Sequence, residues 1–163
     1  MTVTSAGVLL YRTDDAGVLQ LWLVHMGGPF WARKDEHAWS IAKGEHTPDE
    51  DPLAAARREF AEELGRPAPD GALVDLGTVR QSGGKVVRAW AVQADLDVTE
   101  IHSNTFELEW PPRSGRMQEF PEVDRAGWFD LPTAAVKLVK GQRPLLERLA
   151  DHAPQGVRRG SSR

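Results

Sequence analysis

The segment from Gly44 to Arg66 constrains this chain more than any other, because it places three glutamates on one face of a helix. At about 100° per residue, Glu59, Glu62 and Glu63 fall within a narrow arc. The apolar side chains of the same helix lie roughly a quarter turn away, and they are Leu53, Ala56, Phe60 and Leu64. The sequence therefore predicts a helix with one face for the core and an acidic face beside it.

An acidic helix face has two interpretations. Like charges three or four positions apart repel each other, and acids near a helix C-terminus oppose the helix dipole. The face is either solvated surface, as most runs of charge are, or a binding site for a hard divalent cation. Mg²⁺ and Mn²⁺ prefer oxygen ligands, and a carboxylate trio can replace some of their waters. The residues around the glutamates favour the cation.

Charged and glycine residues recur at fixed spacing in this segment, and they are Gly44, Glu50, Arg58, Glu59, Glu62, Glu63 and Gly65. This order resembles the Nudix box, the signature of the Nudix hydrolase family, at every charged and glycine position. It departs from the box only at Arg66, where the family has an aliphatic residue. That departure affects a packing contact and leaves the chemistry of the segment intact.

The resemblance implies Mg²⁺ or Mn²⁺ as the cofactor. The implied metal ligands are three carboxylates and one backbone carbonyl, those of Glu59, Glu62, Glu63 and Gly44. We also place Arg58 and Glu50 among the catalytic residues, as an ion pair that holds the loop to the helix. Direct contact between Arg58 and a phosphate is the alternative. Glu62 and Glu63 are each candidates for the catalytic base as well.

A catalytic base or a further ligand often lies outside the box in this family, on a loop shortly before a late strand that contains an aromatic residue. In this chain that aromatic residue is Trp128. Glu122, six residues earlier, is our candidate for the base, with Glu119 as the second choice. The alternative is that Glu122 only solvates a loop.

The resemblance implies hydrolysis of a phosphoanhydride bond in a nucleoside diphosphate linked to another moiety. The Lys43-Gly44 pair is similar to the branch of the family that handles dinucleoside polyphosphates and diphosphoinositol phosphates, although that branch usually has proline in place of Ala42. We therefore expect (di)nucleoside polyphosphates as substrates. ADP-ribose, a damaged nucleoside triphosphate and capped RNA ends are alternatives. A further alternative is a catalytically weak or inactive module that binds a nucleotide without turnover.

Residues that contact the substrate must come mainly from outside the box. Phe30 or Trp31 is a candidate to stack on a nucleobase, while Arg33 and Lys34 are candidates to meet phosphates. The alternative is that these aromatics pin their loop to the core. Other candidates for phosphate binding are Lys43, Arg80, Lys85, Arg88, Arg113 and Arg116. The histidines His25, His46 and His102 lack the spacing of a zinc site.

Composition bounds the remaining possibilities. A chain of 163 residues that is 40% hydrophobic can bury one sizeable core, so we expect one domain over residues 1–152 and a disordered tail over residues 153–163. The net charge of −4 argues against nucleic acid as a partner. The chain has no cysteine, no apolar run of membrane-spanning length and no leader-like segment, so we expect a cytoplasmic protein. A homodimer is possible, because dimers are frequent in the family.

Hydrophobic periodicity and turn residues predict an α/β or α+β chain. The predicted strands are Val3–Tyr11, Val18–His25, Trp39–Ala42, Leu73–Gln81, Lys85–Ala94, Phe106–Trp110 and Ala126–Phe129. Asp51 and Gly65 bound the predicted box helix, and a helix pair follows at Leu131–Leu138 and Pro144–His152. The remaining segments, including 27–35 and the region after Trp110, are predicted loops. The resemblance implies an α/β/α sandwich around a mixed β-sheet.

Overall fold

The computed structural model describes residues 3–95, 103–152 and 160. Its strands are β1 (Thr4–Thr13), β2 (Leu19–Met26), β3 (Trp39–Ser40), β4 (Ala42–Glu45), β5 (Leu73–Arg80), β6 (Val86–Gln93), β7 (Thr105–Glu109), β8 (Met117–Pro121) and β9 (Val123–Asp130). Its α-helices are α1 (Pro52–Leu64), α2 (Leu131–Lys137) and α3 (Pro144–His152). None of the helices in this part of the chain is long and apolar enough to cross a membrane.

Strand β1 is the centre of a mixed sheet of seven strands. It pairs antiparallel with β2 and β4 and parallel with β6, while β5 pairs with β6 and β9 pairs with β2. Two pairs of consecutive predicted strands form antiparallel hairpins, β1–β2 and β5–β6. Gly83 and Gly84 of the second turn have φ values of 81°, the conformation for which that turn needs glycine.

The sheet is covered on both faces, because alternate side chains of its central strand point in opposite directions. Ala6, Val8 and Leu10 of β1 belong to a core that also contains Phe60 of α1. Leu9 belongs to a second core on the other face, together with side chains of α2 and α3, namely Ala134, Leu145 and Leu149. The predicted α/β/α sandwich is therefore confirmed.

Local signals set the ends of α1 where the sequence predicted them. The Asp51 side chain accepts a hydrogen bond from the backbone N–H of Ala54 at 3.0 Å, and Pro52 occupies the first turn. Gly65 ends the helix in the left-handed conformation, with φ of 67°. Arg66, the one departure from the box, is exposed.

The region after Trp110 was wrongly predicted as loop. It contains β8, which pairs antiparallel with β7 in a separate two-stranded sheet, and the last strand begins at Val123 rather than at Ala126. The side chains of β8 are largely exposed, so it lacks the apolar alternation that marks a half-buried strand. The predicted strand Trp39–Ala42 is also divided between β3 and β4. The tail from residue 153 lies outside the described residues, apart from Gly160.

Candidate active site

The first glycine of the box lies directly against the first carboxylate of the helix. Strand β4 pairs with β1 so that Gly44 is opposite Ala6, and α1 packs against the same part of the sheet. A Cβ atom placed on Gly44 would lie 1.9 Å from Cδ of Glu59. Only glycine fits there, because any larger residue would displace the Glu59 carboxylate from the backbone of β4.

Two of the three box carboxylates are buried. Glu59 is 8% exposed and Glu63 is 3% exposed, and Oε2 of Glu63 has no hydrogen-bond partner. Burial, and next the neighbouring carboxylates of Glu59 and Glu122, raise the pKa of Glu63 to about 8. Burial and the charge of Glu62 also raise the pKa of Glu59. Solvated surface therefore does not describe Glu59 and Glu63, and burial is unfavourable for the unpartnered oxygen of Glu63.

Arg58 organises the exposed side of this cluster. Its Nε donates to Oε2 of Glu50 at 3.1 Å and its Nη2 to Oε1 of Glu50 at 3.0 Å, so the predicted ion pair is present and two-pronged. Its Nη1 donates to Oε1 of Glu59 at 3.1 Å and to Oε1 of Glu62 at 3.4 Å. The bonds to Glu50 are the main reason that the pKa of Arg58 is raised. Arg58 thus links the loop before α1 to two carboxylates of the helix.

Sequence reasoning missed one contact of this cluster. Nδ2 of Asn104 donates to Oε2 of Glu62 at 3.3 Å. The backbone carbonyl of Asn104 also accepts a hydrogen bond from the N–H of Glu122 at 2.8 Å. No sequence pattern marked Asn104, because it lies 42 residues from Glu62 and the fold brings it there just before β7 begins.

The donor set fits a hard divalent cation. The free oxygen of Glu63 and the contact between Glu59 and the backbone of Gly44 bring together oxygens of the kind that Mg²⁺ and Mn²⁺ prefer. Across residues 3–95 and 103–152, however, no three His, Asp or Glu side chains are already arranged to bind a metal ion. Arg58 donates to Oε1 of Glu62 at 3.4 Å and Asn104 to its Oε2 at 3.3 Å, so these two residues hold the Glu62 carboxylate beside the buried pair.

A small cavity of about 140 Å³ adjoins the buried carboxylates, and Lys43, Glu63 and Glu122 contribute charged groups to its wall. The carbonyl of Glu122 accepts a hydrogen bond from the N–H of Gly27 at 2.8 Å, which fixes the backbone there. Burial lowers the pKa of the Lys43 ammonium, and the charge of Lys85 lowers it further. The structure therefore brings Glu122 and Lys43 to the box. The second choice, Glu119, instead accepts a hydrogen bond from Thr105 at 2.6 Å.

The two aromatic residues of loop 27–35 have different surroundings. Phe30 is 56% exposed, and its ring meets the ring of Trp110 edge to face at a centroid distance of 5.4 Å. Trp31 packs against the core, and the Lys34 ammonium lies 5.3 Å from its ring centroid. Trp31 therefore anchors loop 27–35 to the core, while the ring of Phe30 is exposed to solvent.

The remaining predicted phosphate contacts are spread over the surface, and Arg33, Arg80 and Arg88 do not line the cavity beside Glu63. Arg88 donates to Asp75 at 2.7 Å and lies over the ring of Trp90 at 5.0 Å. Arg33 and Arg80 are exposed. Arg113 and Arg116 are exposed as well, in the turn between β7 and β8. His102 lies outside the described residues.

The family model described as the NUDIX domain matches residues 1–149 of this chain. The chain therefore belongs to the Nudix family, and this membership supports the predicted hydrolase. Hydrolases of this family generally use divalent metal ions. A search of curated proteins finds no match.

Solved structures show the same fold. An Ap4A hydrolase from C. elegans, solved as a binary complex, has a TM-score of 0.61 and 22% identity, with 93% of this chain and 97% of that chain covered. The NUDIX domain of Shewanella oneidensis NrtR, solved with ADP ribose, has a TM-score of 0.64 and 17% identity, with 93% and 88% covered. The Nudix hydrolase RenU from M. smegmatis has a TM-score of 0.54 and 21% identity, with 91% and 84% covered. At these identities the similarity establishes the fold alone.

Proposed function

We propose that this protein hydrolyses a phosphoanhydride bond in a nucleoside diphosphate linked to another moiety, with (di)nucleoside polyphosphates as the leading substrate class. The burial of Glu59 and Glu63 beside Gly44, with one oxygen of Glu63 unpartnered, carries this proposal. Such an arrangement is unfavourable unless a cation compensates it. The Lys43-Gly44 pair supports the choice of substrate class.

The reaction is difficult because the negative charges of a pyrophosphate repel an incoming nucleophile. Mg²⁺ or Mn²⁺ held by Glu59, Glu62, Glu63 and the carbonyl of Gly44 would neutralise phosphate oxygens and make water more acidic. Arg58, fixed by Glu50, keeps the carboxylates of α1 in place. Glu62 and Glu63 are alternative candidates for the base.

The chain supplies the remaining groups around the cavity. Glu122 is the proposed base, because it lines the cavity that Glu63 also lines and its charge contributes to the raised pKa of Glu63. Lys43, on the same wall, is proposed to bind a phosphate of the substrate. Phe30 is proposed to stack on a nucleobase, since its ring is the exposed one in loop 27–35. Arg33 and Lys34 would meet phosphates further along the substrate.

We also propose that residues 1–152 form a single domain, that the protein is cytoplasmic and that it forms a homodimer. The family model matches residues 1–149, which is consistent with one domain.

The test is to incubate the purified protein with Mg²⁺ or Mn²⁺ and a panel of nucleoside triphosphates, dinucleoside polyphosphates, ADP-ribose and nucleotide sugars. We expect cleavage of dinucleoside polyphosphates at a phosphoanhydride bond, lost when EDTA removes the metal. Preferred cleavage of ADP-ribose or of a triphosphate would contradict the proposed substrate class but support the proposed reaction. Tight nucleotide binding without turnover of any compound would contradict the hydrolase and favour a binding module.

A further inference from the structure

His25 is a buried histidine on β2 that the proposed chemistry does not use. It is 0% exposed. Its Nδ1 lies 2.7 Å from Oδ1 of Asp124, and its Nε2 lies 2.6 Å from the backbone carbonyl oxygen of Lys34. An ionised carboxylate and a carbonyl oxygen can only accept hydrogen bonds. Each ring nitrogen lies within hydrogen-bond distance of an accepting oxygen, so the ring bridges the Asp124 carboxylate and the Lys34 carbonyl.

The first partner, Asp124, occupies an irregular position in the sheet. Along the β2–β9 pair, His25 is opposite Arg125 and Met26 is opposite Val123, so Asp124 is an extra residue in β9. Such a bulge redirects the side chains that follow it, and bulges are frequent beside active sites. Glu122 lies two residues before Asp124 in the chain, and it lines the cavity together with Glu63. The bond from His25 therefore fixes the bulge next to the proposed base.

The second partner belongs to the loop that carries the proposed base-stacking residue. The carbonyl of Lys34 lies four residues after Phe30, in loop 27–35. The His25 ring is held between its partners by an edge-to-face contact with Trp39, at a centroid distance of 5.2 Å. One buried ring thus joins the segment that contains Glu122 to the loop that contains Phe30.

We propose that His25 is a positioning residue for the reaction, which pins the bulge at Asp124 so that Glu122 faces the acidic side of α1. This inference rests on the proposed function, since it assigns Glu122 as the base. His25 acts through Glu122 and touches no substrate. Its loss slows the chemical step and leaves binding of the phosphates to Lys43 largely unchanged.

The experiment compares His25→Gln in the wild-type protein and in a Glu122→Gln background, on whichever substrate the wild-type protein cleaves. Glutamine offers one donor end and one acceptor end, so it cannot donate to both oxygens. We expect kcat to fall about 10- to 100-fold in the wild-type background, the usual effect of losing a residue that orients a reacting group, with KM changed less than about twofold. In the Glu122→Gln background the same change should lower kcat less than about twofold.

Two further variants keep the test informative if His25→Gln folds poorly. Asp124→Ala removes the other end of the pair at a side chain that is 33% exposed, and it should show the same loss of kcat and the same lack of additivity with Glu122→Gln. His37→Asn is the matched control, because His37 also bonds a backbone carbonyl, that of Leu138 at 3.0 Å, and asparagine tolerates its φ of 56°. Its kcat should stay within about twofold of wild type.

Nitrogen NMR of the histidine rings provides a readout without substrate, and we expect a hydrogen on Nδ1 of His25 whose signal changes in Asp124→Ala. A bare Nδ1 would overturn the proposed bond to Asp124. The positioning role would be overturned if the kcat losses of His25→Gln and Glu122→Gln multiplied in the double variant. Full activity of His25→Gln would overturn it as well. In either case a wild-type protein that cleaves its substrate leaves the proposed function standing. A wild-type protein that cleaves nothing overturns the function and this inference with it.

Discussion

Single residues of the box act through contacts that spacing in the sequence does not reveal. The resemblance assigned Gly44 a role for its carbonyl, and the structure adds a steric reason for glycine, since the Glu59 carboxylate lies on its Cα. The two-pronged bond between Arg58 and Glu50 was predicted, because Arg58 on α1 can reach back toward the loop before the helix. The contact of Asn104 with Glu62 was not, because it depends on the path of a distant segment.

Replacing Gly44 by alanine tests the steric reason. The added Cβ would overlap the Glu59 carboxylate and push it away from β4. We expect kcat to fall about 100-fold, as a misplacement of about 1 Å can cause, and unfolding free energy to fall by about 1 to 3 kcal/mol. Steady-state kinetics and urea denaturation would measure both quantities.

Gly17→Ala is the control for that variant. Gly17 lies in a distant turn with φ of 78° and open space around its Cα. Alanine should cost about 1 kcal/mol of stability there through backbone strain and leave kcat unchanged. Normal activity of Gly44→Ala would show that the position of Glu59 does not depend on this glycine.

At the scale of whole elements, local signals were sufficient where a helix begins or ends and insufficient where strands pair over a distance. Asp51 and Gly65 marked the ends of α1 correctly, because caps act through neighbouring residues. Strand β8 was not predicted, because its own residues have no apolar alternation. It is a strand because it pairs with β7. The bulge at Asp124 was invisible for the same reason, since a bulge is defined by the partner strand.

Removing the N-cap of α1 tests how far local signals stabilise this element. Asp51→Ala leaves the N–H of Ala54 without its side-chain acceptor, so we expect a loss of about 1 kcal/mol in the free energy of unfolding. Urea denaturation measures the loss. Asp49→Ala, in the exposed turn two residues earlier, is the control and should change stability by less than about 0.5 kcal/mol. Equal stability of the two variants would show that the cap contributes nothing.

At the scale of the whole molecule, the resemblance predicted the sandwich, and the two cores on opposite faces of the sheet agree with it. The surroundings of individual surface cations could not be predicted, because they depend on tertiary contacts. Arg88 is held by Asp75, and loop 27–35 is tied to α2 by a bond from Lys137 to Asp35 at 2.7 Å.

The link between Asp35 and Lys137 predicts a dependence of stability on pH. Hydrogen bonds from Lys137, and next from Trp39, lower the pKa of Asp35 in the folded protein. Its contribution is therefore fully present above the pKa of the unfolded chain, about 4, and is lost as the pH falls through the lower folded value. The effect is modest, because the Asp35 side chain is 56% exposed.

We expect Asp35→Asn to be less stable than wild type at pH 7, and the difference between the two proteins to shrink as the pH falls below about 4. Urea denaturation of both proteins at pH 7 and near pH 3 measures that difference. An equal difference at both pH values would show that the charge of Asp35 does not contribute through this link.

The central claim is that the buried carboxylates of α1 serve catalysis at the expense of stability. Glu63→Gln keeps the shape of the side chain and removes the buried carboxyl group whose Oε2 has no hydrogen-bond partner. Measuring kcat and thermal unfolding of this variant, with Glu147→Gln at an exposed position of α3 as the control, tests the claim most directly. We predict that kcat falls by about 100-fold or more while the unfolding temperature is unchanged or higher. Retained turnover in a folded Glu63→Gln protein would contradict the account.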